Sequence, residues 1–152
     1  MVLKLAAPVV GVAVVGKRSA APADRVAQQL GGRGGDGRDL LLDQQVVAGL
    51  GNIYANEILF RAGIRPTKRA WRLTRREVVA IAAMTPKLLR DAIRWCGTSF
   101  SDYRDADDKR GEFQNHLRVY DRDGEPCRKC RARIKRVAIG NRSAFYCPTC
   151  QR

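Results

Sequence analysis

The stretch Leu40–Gly63, LLLDQQVVAGLGNIYANEILFRAG, decides the fold. Its first part is apolar at helical spacing and is stopped by Gly49 and Gly51. The pattern then restarts at Asn52, a good N-cap residue by type. Ile53, Ile58, Leu59 and Ala62 can share one face of the second helix. Gly63 ends it, with Pro66 just beyond. The reading is helix, tight glycine turn, helix. A turn of this kind brings helix-start amides to the surface, where an asparagine and unpaired N–H groups make an anion site. Asn52 is therefore a candidate for capping the helix or for binding phosphate. One side chain cannot fully serve both.

Downstream, Thr74–Glu77 has the T-x-x-E form of a capping box and opens a helix through about Trp95. Val78, Ile81, Ala82, Leu88, Leu89 and Ile93 are its apolar positions, and Pro86 is expected to kink or break it. GTSFSDYRDADDKRGEF, residues 97–113, is a polar connection. HLRVYDRDGEPC, residues 116–127, has strand-like alternation and a turn at Asp123-Gly124. Arg131–Ile139 and Ser143–Cys147 form two arms of a hairpin that turns at Gly140-Asn141.

Upstream, residues 1–39 are rich in Gly, Ala and Val and end in GGRGGDG, a linker by composition. A strand over Val9–Val15 and a short helix over Ala23–Leu30 are the elements this segment could form. The apolar run Leu5–Val15 is interrupted by Pro8 and Gly11, which argues against a secretory leader. No apolar run is long enough to span a membrane.

The hairpin lies between Cys127-x2-Cys130 and Cys147-x2-Cys150. Each pair can grip one metal ion, and the hairpin brings the pairs together. Four thiolates in a closed tetrahedral shell suit one structural Zn2+, and no His or carboxylate completes an open, catalytic set. The βαβ context of a redox CxxC is missing. His116, the only histidine, falls outside the ligand spacing, and Cys96 reads as a small buried hydrophobe.

The formal net charge of the 152 residues is +14. Residues 67–95 carry +6 and residues 109–152 carry +8, around a stretch of −3 over residues 96–108. Such a distribution favours a polyanionic partner. Arg142 stands at the hairpin turn, where a rigid frame can hold it against a phosphate with little loss of entropy.

Taken together, LLLDQQVVAGLGNIYANEILFRAGIRP, GTSFSDY, GEFQNHLRVYDRDGEPCRKC and NRSAFYCPTCQR resemble, in order and spacing, the C-terminal half of bacterial formamidopyrimidine-DNA glycosylases, relatives of endonuclease VIII. The resemblance covers about residues 40–152. It implies base-excision repair of oxidised purines such as 8-oxoguanine, with abasic-strand cleavage, by a cytoplasmic, nucleoid-associated bacterial protein acting as a monomer on double-stranded DNA. It also implies that Asn52 and Arg142 contact backbone phosphates near a lesion. The family's N-terminal proline and glutamate have no counterpart in MVLKLAAP, so no catalytic residue is assigned and the chain alone is expected to be inactive as a glycosylase. Asp121, Arg131 and Ala144 depart from the family's usual glycine, glycine and threonine.

The expected fold is mainly α with a small β-hairpin zinc finger, lacking the family's N-terminal β-sandwich. Its expected divisions are an irregular, disordered or non-native segment over 1–39, a helix-two-turn-helix DNA-binding domain over 40–100, a connection over 101–116 and a four-cysteine zinc finger over 117–152. The alternatives to a DNA clamp are a residual abasic-site lyase, through a lysine or N-terminal amine that forms a Schiff base, and a zinc-binding protein–protein adaptor.

Overall fold

The computed structural model describes residues 35–44, 47, 49–98 and 111–152. The strand and helix expected within residues 1–30 lie outside this range, as does most of the 97–113 connection. The described elements are α1 (Gly37–Leu42), α2 (Asn52–Ala62), a 3-10 turn (Ala70–Arg72), α3 (Arg75–Arg94), a second 3-10 turn (Phe113–His116), and strands β1 (Lys135–Ile139) and β2 (Arg142–Tyr146).

The first helix begins at Gly37 and is short, ending at Leu42. The chain then turns through Gly49, which has a positive φ of 84°. Gln44 staples this turn. Its Oε1 accepts from Gly49 N at 2.8 Å and its Nε2 donates to Leu50 O at 3.0 Å. Asn52 does not cap α2. Extended Gly51 holds the cap position without a side-chain bond, and Asn52 is the first helical residue. At the other end Gly63 is left-handed as expected, and Ile64 N bonds back to Leu59 O at 2.9 Å, closing the helix.

Both halves of the capping box at Thr74 and Glu77 are formed. Lys68 Nζ reaches Glu77 Oε1 at 2.6 Å. Burial raises the Glu77 pKa, but the bonds from Lys68 and Thr74 outweigh it and hold the carboxyl below its ordinary value. The break expected at Pro86 is absent, and α3 runs unbroken for 20 residues. The ring removes one ladder bond, but buried Val78 and Ile81 on one side and Leu88 and Ala92 on the other pin both halves of the helix. Ile93 is not part of the core: it is 64% exposed. Cys96 is also exposed, not buried, because the helix ends there in a left-handed residue (φ 56°) and the chain turns back at Gly97.

Two apolar clusters result. Leu41, Leu50, Ile58, Leu59, Ile81, Leu88 and Phe113 fill the helical one. Val119, Ile134 and Phe145 pack with Cys127 and Cys147 in the finger, and Tyr120 lies against both clusters. The hairpin is antiparallel, with Val137 opposite Ala144 and Ile139 opposite Arg142. No strand forms over residues 116–127. The reason is that the backbone N–H groups of Arg118, Val119 and Tyr120 all donate to the buried carboxylate of Glu57, at 2.8–3.0 Å, and not to a neighbouring strand.

Candidate metal centre and nucleic-acid interface

The four finger cysteines converge. Their sulfurs all lie within 4.8 Å of one another, with Cys130–Cys147 at 3.3 Å and Cys127–Cys150 at 4.0 Å. A tetrahedral zinc with Zn–S bonds of about 2.3 Å requires sulfurs about 3.8 Å apart, so the cage fits the ion. Backbone N–H groups support it from outside the cage. Lys129 N donates to Cys127 Sγ and Cys150 N to Cys147 Sγ, each at 3.4 Å. Without a cation the thiols cannot ionise together. The Ala132 N–H and the Cys147 thiol lower Cys130 to about 7, whereas burial and then the neighbouring thiols push Cys150 up to about 12. A dication removes this conflict.

The finger is locked to α2 by buried polar groups. Asn56 Oδ1 accepts from Phe145 N at 2.8 Å. Gln151 accepts from Cys147 N at 2.8 Å and donates to Ile64 O at 2.7 Å. With Glu57, these ties fix the hairpin turn beside the start of α2. Asn52 Nδ2 donates to Ser143 O at 3.0 Å, next to Arg142 in the chain. Arg142 itself is exposed, and its guanidinium makes no hydrogen bond or ion pair among the described residues. The structure thus places the two residues singled out from the sequence at one corner.

A third residue holds that corner together. Arg38, only 2% exposed, lies beneath it. Its guanidinium donates to Ile139 O at 2.7 Å, to Arg142 O at 3.3 Å and to Asn52 Oδ1 at 3.4 Å. Its Nε is buried without a hydrogen-bond partner among the described residues. The amides of Asn52, Ile53 and Tyr54 precede the first ladder bond of α2, which runs from Ala55 N to Gly51 O. A Cβ on Gly51 would meet nothing within 4 Å, so this helix entrance is open. Arg38 is itself ion-paired with Asp39 at 3.6 Å and spends its donors within the protein, so the helix-start amides and the exposed Arg142 are the groups of this corner able to attract an anion.

Residues 18–104 match the formamidopyrimidine-DNA glycosylase H2TH domain. The chain belongs to the formamidopyrimidine-DNA glycosylase family. Residues 124–152 match the zinc finger found in formamidopyrimidine-DNA glycosylases and isoleucyl-tRNA synthetases, and the cysteine cage is a site for one structural zinc ion. The formamidopyrimidine-DNA glycosylase of Nitratidesulfovibrio vulgaris is 48% identical over 126 residues, covering 83% of this chain and 34% of that protein. That of Desulfitobacterium hafniense is 49% identical over 111 residues, covering 73% and 41%. Among solved structures, the MutM (Fpg) protein of Thermus thermophilus aligns with a TM-score of 0.79 at 37% identity, covering 85% of this chain and 49% of that one. The Lactococcus lactis Fpg bound to DNA containing an abasic site aligns with a TM-score of 0.79 at 32% identity, covering 86% and 48%. The chain therefore spans between a third and a half of these family members. The H2TH match begins at residue 18, inside the segment set apart from the family by its composition. Arg38 lies in that segment, where its role was not legible. Among the described residues, no helix is long and apolar enough to cross a membrane.

Proposed function

We propose that this chain is the DNA-gripping part of a base-excision-repair glycosylase for oxidised purines. In this reading the α2 entrance and Arg142 hold backbone phosphates of double-stranded DNA beside a lesion. Asn52 orients the hairpin turn through Ser143 and lends its helix-start backbone N–H to the same site. The contacts position the protein and carry no base sequence. The zinc ion acts by holding the hairpin rigid and takes no part in bond breaking. The chain works as a monomer on the bacterial chromosome and has no assigned glycosylase chemistry of its own.

The observation that carries this reading is the Asn52–Ser143 bond, which brings the helix entrance and the arginine-bearing turn to one corner. The test uses zinc-loaded protein, a duplex with 8-oxoguanine and a duplex with an abasic site, each with borohydride. A gel shift on both without a covalent adduct is expected. An adduct on the abasic duplex alone would identify a lyase. An adduct on the 8-oxoguanine duplex would identify a base-excising enzyme. Unchanged DNA affinity in Asn52→Ala and Arg142→Ala would remove the phosphate-corner assignment and favour an adaptor role.

A further inference from the structure

The outward face of α3 carries a row of cations that the phosphate corner does not use. Arg76, Lys87, Arg90 and Arg94 are all exposed. At about 100° per residue they fall within about 60° of arc and span about 27 Å of helix. The buried positions Val78, Ile81, Thr85, Leu88 and Ala92 lie on the opposite side, toward the core. The small residues Ala80 and Ala83 lie between Arg76 and Lys87 along the same row and keep its relief low.

The row is poorly neutralised: its one neighbouring acid among the described residues is Asp91, which feels Arg90 and Arg94 but is hydrogen-bonded to Arg61. The two acids of α3 are committed to cations from elsewhere, Glu77 to Lys68 at 2.6 Å and Asp91 to Arg61 at 2.8 Å. None of the four cations makes an ion pair among the described residues. Local helix physics disfavours the arrangement. Lys87–Arg90 and Arg90–Arg94 are like-charge neighbours at i,i+3 and i,i+4, and Arg76 sits in the first turn, against the helix dipole. A surface that breaks these rules in one place is what a binding face for an extended polyanion requires. Near the start of the helix, Trp71 is 61% exposed with the Arg72 guanidinium 5.3 Å from its ring centroid, an aromatic–cation pair of the kind that nucleic-acid surfaces use.

We propose that this face of α3 is a second DNA-backbone surface, separate from the Asn52–Arg142 corner. It binds a further stretch of duplex without regard to sequence or damage. The protein can then hold two duplex segments at once, which suits search along compacted DNA. Binding by the α3 face does not depend on the phosphate-corner reading, whereas the two-segment hold rests on it.

The test is a quadruple variant, R76Q/K87Q/R90Q/R94Q, in the full zinc-loaded chain. Two quantities are read on undamaged duplex: the slope of log affinity against log salt, and the capture of a labelled duplex by a bead-bound one. At about 0.9 per phosphate contact, the slope should flatten by about 3 and affinity at moderate salt should fall at least about tenfold. Capture should be lost, while the thermal melt holds or rises as like charges are removed. The same flattening of the slope should appear in an Asn52→Ala, Arg142→Ala background, where capture is already lost, which separates this surface from the corner. An unchanged slope and unchanged capture would overturn the proposal. So would a variant that keeps its DNA slope but loses binding to polyglutamate, which would assign the row to an acidic protein.

Discussion

The guanidinium of Arg38 donates to the carbonyl oxygen of Ile139, 101 residues away, at 2.7 Å. Through its further bonds to Arg142 O and Asn52 Oδ1, one buried side chain sets the spacing between the hairpin turn and the start of α2. Replacing it with leucine leaves those carbonyls buried without donors, at a cost of about 1–3 kcal/mol. Arg38→Leu should lower the urea midpoint of the zinc-loaded protein and weaken duplex binding at least about tenfold, with metal content unchanged. Arg38→Lys should fall between the two, since an ammonium lacks the planar fork. Wild-type affinity in the leucine variant would show that the corner is set without Arg38.

A second tie is testable in the same way. The Glu57 carboxylate is fully buried and collects the N–H groups of three consecutive residues, Arg118 to Tyr120. Alanine strands those donors, and the loss should reach about 3 kcal/mol or more in denaturant titrations. Glutamine can keep the Oε1 contacts while turning an NH2 toward Arg118 N, so Glu57→Gln should cost about half as much. Equal losses in the two variants would mean that the packed volume of the side chain matters and its acceptors do not.

These two residues mark the limit of sequence reading. The four cysteines, the capping box at Thr74 and the Gly63 helix end were legible because each is a local pattern with one physical solution. Asn56, Glu57 and Gln151 were not, because the partners through which they join the helices to the finger lie 61 to 89 residues away in the chain. An acid next to the apolar Ile58-Leu59 pair was the available hint. Of the two roles that residue type leaves open for Asn52, the cap of its own helix is not made: Gly51 holds that position, and the Asn52 side-chain amide donates to Ser143 O. The strand expected near Val119 failed because alternation cannot reveal that a carboxylate has taken the strand's donors.

Two departures from family pattern were legible and have a structural consequence. Asp121 and Arg131, which stand where the family usually has glycine, both adopt positive φ, at 57° and 67°. Arginine in the left-handed region is strained by about 1 kcal/mol, whereas aspartate tolerates it better. Arg131→Gly should therefore raise the thermal midpoint of the finger, and Asp121→Gly should raise it less. Any gain is reduced by the greater freedom of glycine in the unfolded chain. A lower midpoint for Arg131→Gly would show that its side chain contributes more than its backbone strain costs.

Removing zinc should separate the two clusters. The helical core around Ile58, Leu59 and Leu88 contains no cysteine, whereas the finger cluster includes Cys127 and Cys147. A module this small has little apolar surface to fold on without its metal. Chelation should therefore unfold the hairpin and leave most of the helical circular-dichroism signal. Duplex binding through the corner should be lost, because Ser143 and Arg142 no longer face Asn52. Binding through the α3 row should persist at low salt, where exposed cations still attract phosphate. Cys147→Ser should behave like the stripped protein, and added zinc should restore the wild type but not the variant. Corner-dependent binding that survives complete metal removal would mean that Arg38, Asn56 and Glu57 hold the hairpin without the ion.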